Sequence, residues 1–398
     1  MVYYPRNIEK VILDATKSFR SVVLSGARQT GKSTLLKKLL QPKYEYISFD
    51  NPRYLKFAKE DPEAFLEEYK FPLLIDEIQY VPEIMPFIKL KIDQHQKKGM
   101  YVLTGSQQFT LMKGLQETLA GRVAIFQLFP FAVTEGKGNS RNFIFRATQG
   151  SFPEIINLPK DKLETWYSSY ISTYIEKDVS SIYHLEKITH FKDLLFLLAH
   201  RVSQVLNYNS LASDLGVSIS AIKLWISILE TSQLLYLLKP YYTNLGSRII
   251  KSPKVYFTDL GLLNYLLGMM DKNTLLKSSY AGAIFENYVI QEVIKHYSNI
   301  GRVAPIYYYR TNNGLEVDLI IEERLGLLRP CEIKLTRNPN PGTLNQITRL
   351  INLNKKKNIT FHKLSIITRT EKSYPISKDA KVYELKDFLS GLSSLSKN

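Results

Sequence analysis

Val22 to Leu40 reads VVLSGARQTGKSTLLKKLL, an apolar run, a glycine-bounded turn and a helical pattern in direct succession. Within it, Gly26-Ala27-Arg28-Gln29-Thr30-Gly31-Lys32-Ser33 satisfies the pattern G-x-x-x-x-G-K-[S/T] at every position. Each fixed residue has a chemical reason. The glycines let the backbone curl until several N–H groups point inward at phosphate oxygens, and the following helix adds its positive N-terminal end. The spacing predicts that Gly26 through Thr34 cradle ATP. Lys32 is expected to reach the β- and γ-phosphates, and Ser33 to ligate Mg²⁺.

Further short apolar runs surround this segment: Tyr44–Phe49, Leu73–Ile75, Tyr101–Leu103 and Val123–Phe126, with helical patterns between them. Strands that alternate with helices imply crossover connections and a mostly parallel sheet covered on both faces. Leu73-Leu74-Ile75-Asp76-Glu77 is a buried strand ending in an acidic pair, about fifty residues past the glycine turn. Such a strand delivers carboxylates to the sheet edge where the phosphate loop also sits. Asp76 is expected to hold Mg²⁺ and Glu77 to polarise the water that attacks the γ-phosphate.

The segments SGARQTGKSTLLKKLL, PLLIDEIQYVPEI, YVLTGSQQFTLM and LAGRVAIFQLFPFAVTE resemble the AAA+ ATPases. The resemblance is to a prokaryotic group whose C-terminal half carries a domain of unassigned function. It implies that Ser106, or alternatively Thr104, is the polar sensor near the γ-phosphate. Arg122 would be the arginine finger that completes a neighbour's site when subunits assemble, so a homo-oligomer is expected. One departure stands out: no arginine matches the second sensor of that family.

The 398 residues are 44% hydrophobic and 23% charged, which excludes a disordered, collagen-like or coiled-coil chain. No apolar stretch approaches the roughly 18 residues that span a bilayer, and the opening MVYYPRNIEKVILD lacks a basic segment followed by an apolar run. Cys331 is the single cysteine, too few for a disulfide within the chain or a cysteine-rich zinc site. These features predict a cytoplasmic protein with no membrane partner. The net charge of +16 favours a polyanion, either nucleic acid or an anionic membrane surface. Nucleic acid, DNA ahead of RNA, is the expected partner. From Arg329 to Asn398, 14 Lys and Arg face 5 Asp and Glu, including the run Lys355-Lys356-Lys357.

Beyond the α/β half the pattern turns helical. Ser210 to Ser218 reads as helix, glycine turn and serine cap, with Ile219–Leu229 as the second helix of a helix-turn-helix. Leu234–Tyr241 and Lys254–Phe257 are the expected hairpin of a wing. On the second helix Ser220, Lys223 and Ser227 should face outward while Ile222, Trp225, Ile226 and Leu229 pack. One base on that outer face is poor for reading a major groove. KSPKVYFTDLGLLNYLL looks like a connector.

The last third places Glu286 on a helix, Asp318 on one strand, and Glu332 and Lys334 on the next. This E…D…E-x-K order is that of the PD-(D/E)xK nuclease core. Residues two apart on a strand share a face, so Glu332 and Lys334 point the same way, and Asp318 can meet them across a hairpin. Glu286, Asp318 and Glu332 are the expected metal ligands, and Lys334 is expected to orient the attacking water or steady developing charge. The resemblance also implies a restriction-endonuclease-like fold here. Three domains follow: an AAA+ type P-loop domain over 1–150, a helical winged helix-turn-helix module over 151–268, and a nuclease-like α/β domain over 269–398. The serine-rich tail after Gly391 is expected to fray.

Overall fold

The computed structural model describes residues 3–105, 119, 121–135, 142–174, 188–241, 252–311, 314–354 and 359–395. Ser106, His184 and the run Lys355-Lys356-Lys357 lie outside the described residues.

The N-terminal sheet is built from β1 (Ser21–Ser25), β2 (Glu45–Ser48), β3 (Leu73–Asp76), β4 (Tyr101–Gly105) and β5 (Val123–Gln127). All pair in parallel, in the order β2-β3-β4-β1-β5. Alternation along each strand feeds two cores. Val22, Leu24, Leu74 and Val102 pack with Ile8, Ile12 and Leu36 on one face. Val23, Ile75, Tyr101 and Leu103 pack with Phe65, Ile88 and Ile92 on the other. Burial on both faces is why these strands read as continuous apolar runs.

Among the described residues, Lys160–Tyr174, Ile188–His200 and the pair Tyr208–Leu215 and Ile219–Thr231 are the principal helices before the hairpin. The pair crosses at 106°. Gly216 makes the corner with φ 62° and ψ 35°, a left-handed conformation that costs a glycine little. The Ser218 hydroxyl accepts a hydrogen bond from the Ala221 N–H and so starts the second helix. Ile222, Trp225, Ile226 and Leu229 are buried, whereas Ser220, Lys223 and Ser227 are exposed. Strands β6 (Leu235–Leu238) and β7 (Lys254–Phe257) form an antiparallel hairpin. Among the described residues, no single helix is long and apolar enough to cross a membrane.

The C-terminal sheet contains β8 (Ile306–Arg310), β9 (Glu316–Arg324), β10 (Leu327–Lys334), β11 (Thr360–Phe361), β12 (Leu364–Thr368), β13 (Tyr374–Pro375) and β14 (Ala380–Tyr383). Its order is β13-β14-β12-β10-β9-β8, with β11 beside β10. The helix Ala281–Asn299 packs against β10 and β7. The expected connection after Gly268 contains a short helix, Lys272–Lys277, and the last helix runs on from Leu385 to Leu395 past the glycine at 391.

One core cluster extends from Phe129 through the helical region to Leu392. Polar links reinforce it. Tyr241 N–H donates to the Tyr308 carbonyl at 2.7 Å and Tyr308 N–H to the Lys239 carbonyl at 3.1 Å, so the hairpin continues into the C-terminal sheet. At the edge of the first sheet, Glu292 accepts from the Val133 N–H at 2.6 Å, and Lys295 and Arg146 both donate to the Phe131 carbonyl. Buried charges need such partners.

Candidate functional site

The P-loop follows β1. A Cβ on Gly26 would lie 2.5 Å from the Leu128 carbonyl oxygen, so only glycine fits where the loop turns past β5. Gly31, at φ 90°, sets up the helix Lys32–Leu40. The Thr30 hydroxyl donates to the Ala27 carbonyl at 2.9 Å, and Arg6 donates to the Thr30 carbonyl at 3.0 Å while pairing with buried Glu135. Lys32 is 5% exposed, and its Nζ donates to the Gly26 and Ala27 carbonyls at 2.9 and 3.0 Å. The lysine therefore spans the loop from within.

A cavity of about 440 Å³ opens over this loop. Arg28, Gln29, Gly31, Lys32, Ser33, Thr34 and Glu77 line one side of it. Tyr170 and Thr173, on the helix Lys160–Tyr174, line the other. Its size falls within the roughly 300–1,000 Å³ of small-ligand sites. Asp76, at the end of β3, is buried; its carboxylate accepts from the Tyr46 hydroxyl at 2.7 Å and from the Glu77 N–H at 3.2 Å. Burial and then the bond to Asp76 hold the Tyr46 phenol well above its ordinary pKa, so it stays a donor. Glu77 adopts a left-handed backbone at φ 55° and accepts from the Gln79 side-chain amide. Ser33 lines the cavity and Asp76 ends β3; their hydroxyl and carboxylate oxygens are hard donors of the kind Mg²⁺ takes. Thr104 stands on β4 beside Leu24 of β1, fully buried, with no hydrogen-bond partner for its hydroxyl among the described residues.

Sequence reasoning missed one contact at this loop. The Ala27 N–H donates to Oε1 of Gln233 at 3.2 Å. Gln233 sits at a tight corner, φ 58°, between the helix Ile219–Thr231 and β6, and is 4% exposed. A lone glutamine 206 residues away carries no local signal. Arg122 is held within its own chain: Nε and Nη2 donate to Asp93 at 2.6 and 3.1 Å.

In the C-terminal sheet, Asp318 accepts from the Ile333 N–H at 2.8 Å and from Lys334 Nζ at 3.1 Å. Lys334 also pairs with Glu332 at 2.8 Å, so these three meet on one face as the strand period requires. Glu286 is held differently. It accepts from the Tyr256 hydroxyl at 2.6 Å and from Lys254 Nζ at 3.2 Å, and Lys254 pairs with Glu316 at 2.6 Å. Burial pulls the Lys254 pKa down, but Glu286, Glu316 and Asp318 outweigh it and the ammonium stays charged. Burial, with the charge of Asp318 adding to it, pushes Glu332 up to about 8. Burial likewise raises Glu286 to about 7 against the pull of Lys254.

Glu286, Asp318 and Glu332 were expected to hold one metal ion, and in this structure each carboxylate has a lysine partner, Lys254 for Glu286 and Lys334 for Asp318 and Glu332. Among the described residues no three His, Cys, Asp or Glu side chains are arranged to hold a metal ion. Two lysines supply positive charge between the carboxylates instead, and Lys254, read from sequence as part of a connector, is the residue that was missed.

Residues 18–136 match the family model of an AAA domain. Residues 140–273 and 281–388 match two domains of unknown function, DUF8612 and DUF4143. Uncharacterized proteins of Mycobacterium bovis and Mycobacterium tuberculosis are each 27% identical over 320 residues, spanning 80% of this chain and 71% of theirs. Among solved structures, the chain is similar to a Walker-type ATPase of Pyrococcus abyssi, with 13% identity and a TM-score of 0.44 over 65% of this chain and 94% of that one. A STAND protein with a tetratricopeptide repeat sensor from Pyrococcus horikoshii has 12% identity and a TM-score of 0.25, over 74% of this chain and 48% of its own. The match to an AAA domain falls on the part of the chain whose parallel sheet carries the phosphate-binding loop, the part that supports an ATP-binding ATPase.

Proposed function

We propose that the chain is an ATP-driven switch, in which turnover at the P-loop changes the pose of the helical module and the C-terminal domain together. One observation carries this: Gln233, at the corner between the helix Ile219–Thr231 and β6, is bonded to the P-loop at Ala27. In this reading the N–H groups from Gly26 to Thr34 bind the phosphates and Lys32 exchanges its two carbonyl partners for phosphate oxygens. Glu77 orients the attacking water, and Thr104 or Ser106 senses the γ-phosphate. Mg²⁺, held by Ser33 and Asp76, would supply charge neutralisation at the β- and γ-phosphates. Arg122 trades Asp93 for a neighbour's nucleotide when chains assemble.

Two variants test it. Lys32→Ala removes ATP turnover. Gln233→Ala leaves nucleotide bound but changes which helical-module amides are protected from hydrogen exchange when ATP replaces ADP. Identical exchange differences in wild type and Gln233→Ala would refute the link.

A second reading has its own support, since Asp318, Glu332 and Lys334 converge on one sheet face in a basic domain. Here nucleic acid, DNA foremost, is the substrate, and Lys334 steadies charge on a phosphate. Cleavage of single-stranded and duplex DNA in Mg²⁺ or Mn²⁺, lost in Glu332→Ala, would favour this reading; ATP hydrolysis without cleavage would favour the switch.

A further inference from the structure

A second cavity, of about 740 Å³, lies between the middle and C-terminal parts of the chain. Phe143, Phe145 and Thr148 line it from the helix Phe143–Gln149, Phe285 and Tyr288 from the helix Ala281–Asn299. It shares no lining residue with the P-loop cavity. Its charge is one-sided. Lys160, Lys272, Arg337, Arg369 and Lys386 face Glu371 and Glu384. Both acids are already engaged. Glu371 pairs with Arg337 at 3.4 Å on the exposed rim, and Glu384 accepts the Lys386 and Asp387 N–H groups at the start of the last helix.

Arg369 is the informative residue. It is half-buried, at the end of the chain segment leaving β12, with its guanidinium 5.7 Å from the centre of the Phe143 ring. Among the described residues no carboxylate pairs with it. Burial, and then the like charge of Arg337, lower its pKa. A half-desolvated cation beside a second cation is unfavourable until an anion arrives. Guanidinium forks match phosphate oxygens two at a time. The side of the cavity against Arg369 is aromatic: Phe143 packs edge-on to Phe285 at 5.1 Å and tilted against Tyr288 at 5.4 Å, all three buried, and Phe145 beside them is partly exposed. Phe145 is the ring there that is accessible to a planar base.

We infer that this cleft binds a nucleoside phosphate, its phosphate on Arg369 and Arg337 and its base along the Phe143–Phe145 side. The ligand chemistry is shared by a free mononucleotide and by a single DNA strand, and the inference does not depend on the proposed switch. The test uses the full chain carrying Lys32→Ala, so that the P-loop does not contribute. Calorimetric titration is run with AMP, with a 5′-phosphorylated DNA decamer and with inorganic phosphate. Saturable binding of AMP or the decamer near one equivalent is expected, with inorganic phosphate weaker. Adding Arg369→Glu should weaken it roughly tenfold to a hundredfold, the span expected for losing a charged hydrogen bond. AMP tighter than the decamer assigns a free nucleotide, and the reverse assigns a strand.

Arg337→Glu, at the exposed rim, should weaken binding in the same direction and guards against misfolding of the Arg369 variant. Arg369→Glu alone should hydrolyse ATP as wild type does, which separates a failure here from a failure of the P-loop assignment. The inference is overturned if neither AMP nor the decamer binds up to millimolar concentration. It is equally overturned if phosphate binds as tightly as AMP, or if the arginine variants bind unchanged.

Discussion

Replacing Lys254 by methionine removes an ammonium from between two carboxylates while keeping a stem of similar length. In the wild type that ammonium is 2% exposed, 3.2 Å from Glu286 and 2.6 Å from Glu316, and 5.5 Å from the centre of the Tyr308 ring. Breaking a buried pair by deleting one partner costs about 3–5 kcal/mol. Glu286 is 15% exposed and bears the full loss, whereas Glu316 at 34% can recover hydration, which places the cost near the low end, about 3 kcal/mol. Because one core cluster runs from Phe129 to Leu392, the helical and C-terminal parts should melt together. For a unit of that size each kcal/mol moves Tm by about 2–4 °C, giving a drop of about 6–12 °C. Differential scanning calorimetry at pH 9, well above the value of about 7 at which Glu286 gives up its proton beside Lys254, measures it. Adding Glu286→Gln, which removes the stranded charge, should restore part of the loss. A single variant melting within about 2 °C of wild type, or a double variant no more stable than the single, would refute the counter-charge role.

Further predictions concern the same region and its neighbours. Glu332 and Glu286 are raised to about 8 and about 7 from 4.5, so the folded chain holds protons that the unfolded chain releases. Their contribution is fully present below pH 4.5 and is lost as pH rises through 7 and 8. Melting temperature should therefore fall from pH 5.5 to 8.5 less steeply in Glu332→Gln than in wild type; equal slopes would contradict this. Cys331, fully buried with its thiol pushed up to about 12 by burial, should not react with a thiol reagent at pH 8 until denaturant is added. Rapid reaction of the native chain would remove it from the core. A Cβ on Gly261 would lie 2.0 Å from the Tyr167 hydroxyl and 2.7 Å from the Gly150 Cα, where that hydroxyl donates to Asp259 at 3.0 Å. Gly261→Ala should cost about 1–3 kcal/mol by overpacking, read as a lower denaturation midpoint.

Local chemistry was legible and long-range pairing was not. The P-loop pattern announced itself because Gly26, Gly31, Lys32 and Ser33 stand at the positions where phosphate binding demands those residue types. The inner strands β3, β4 and β1 were legible because burial on two faces leaves unbroken apolar runs. The crossed helices were legible through Gly216 and Ser218, whose roles are local. Lys254 was not, because Lys-Ser-Pro-Lys looks like a solvated basic stretch; only Glu286 and Glu316, supplied by other elements, make its burial tolerable. Gln233 was hidden for the same reason. Asp318, Glu332 and Lys334 were correctly expected to share a face, since strand period is local, but which cations would join them depended on the hairpin.

The core that joins the middle and end of the chain also sets an order of events during synthesis. Phe257, Leu260 and Leu263 emerge from the ribosome before the helix Ala281–Asn299 and the last helix, through Leu392, that share their cluster. At about 5–20 residues per second, on the order of ten seconds pass between them. For that interval the nascent chain displays apolar surface and an uncompensated Lys254. The parallel ATPase sheet, complete by Gln127, has no such wait. A stalled or prematurely ended chain would therefore offer a finished nucleotide site attached to an adhesive, half-covered middle, the form most in need of a chaperone.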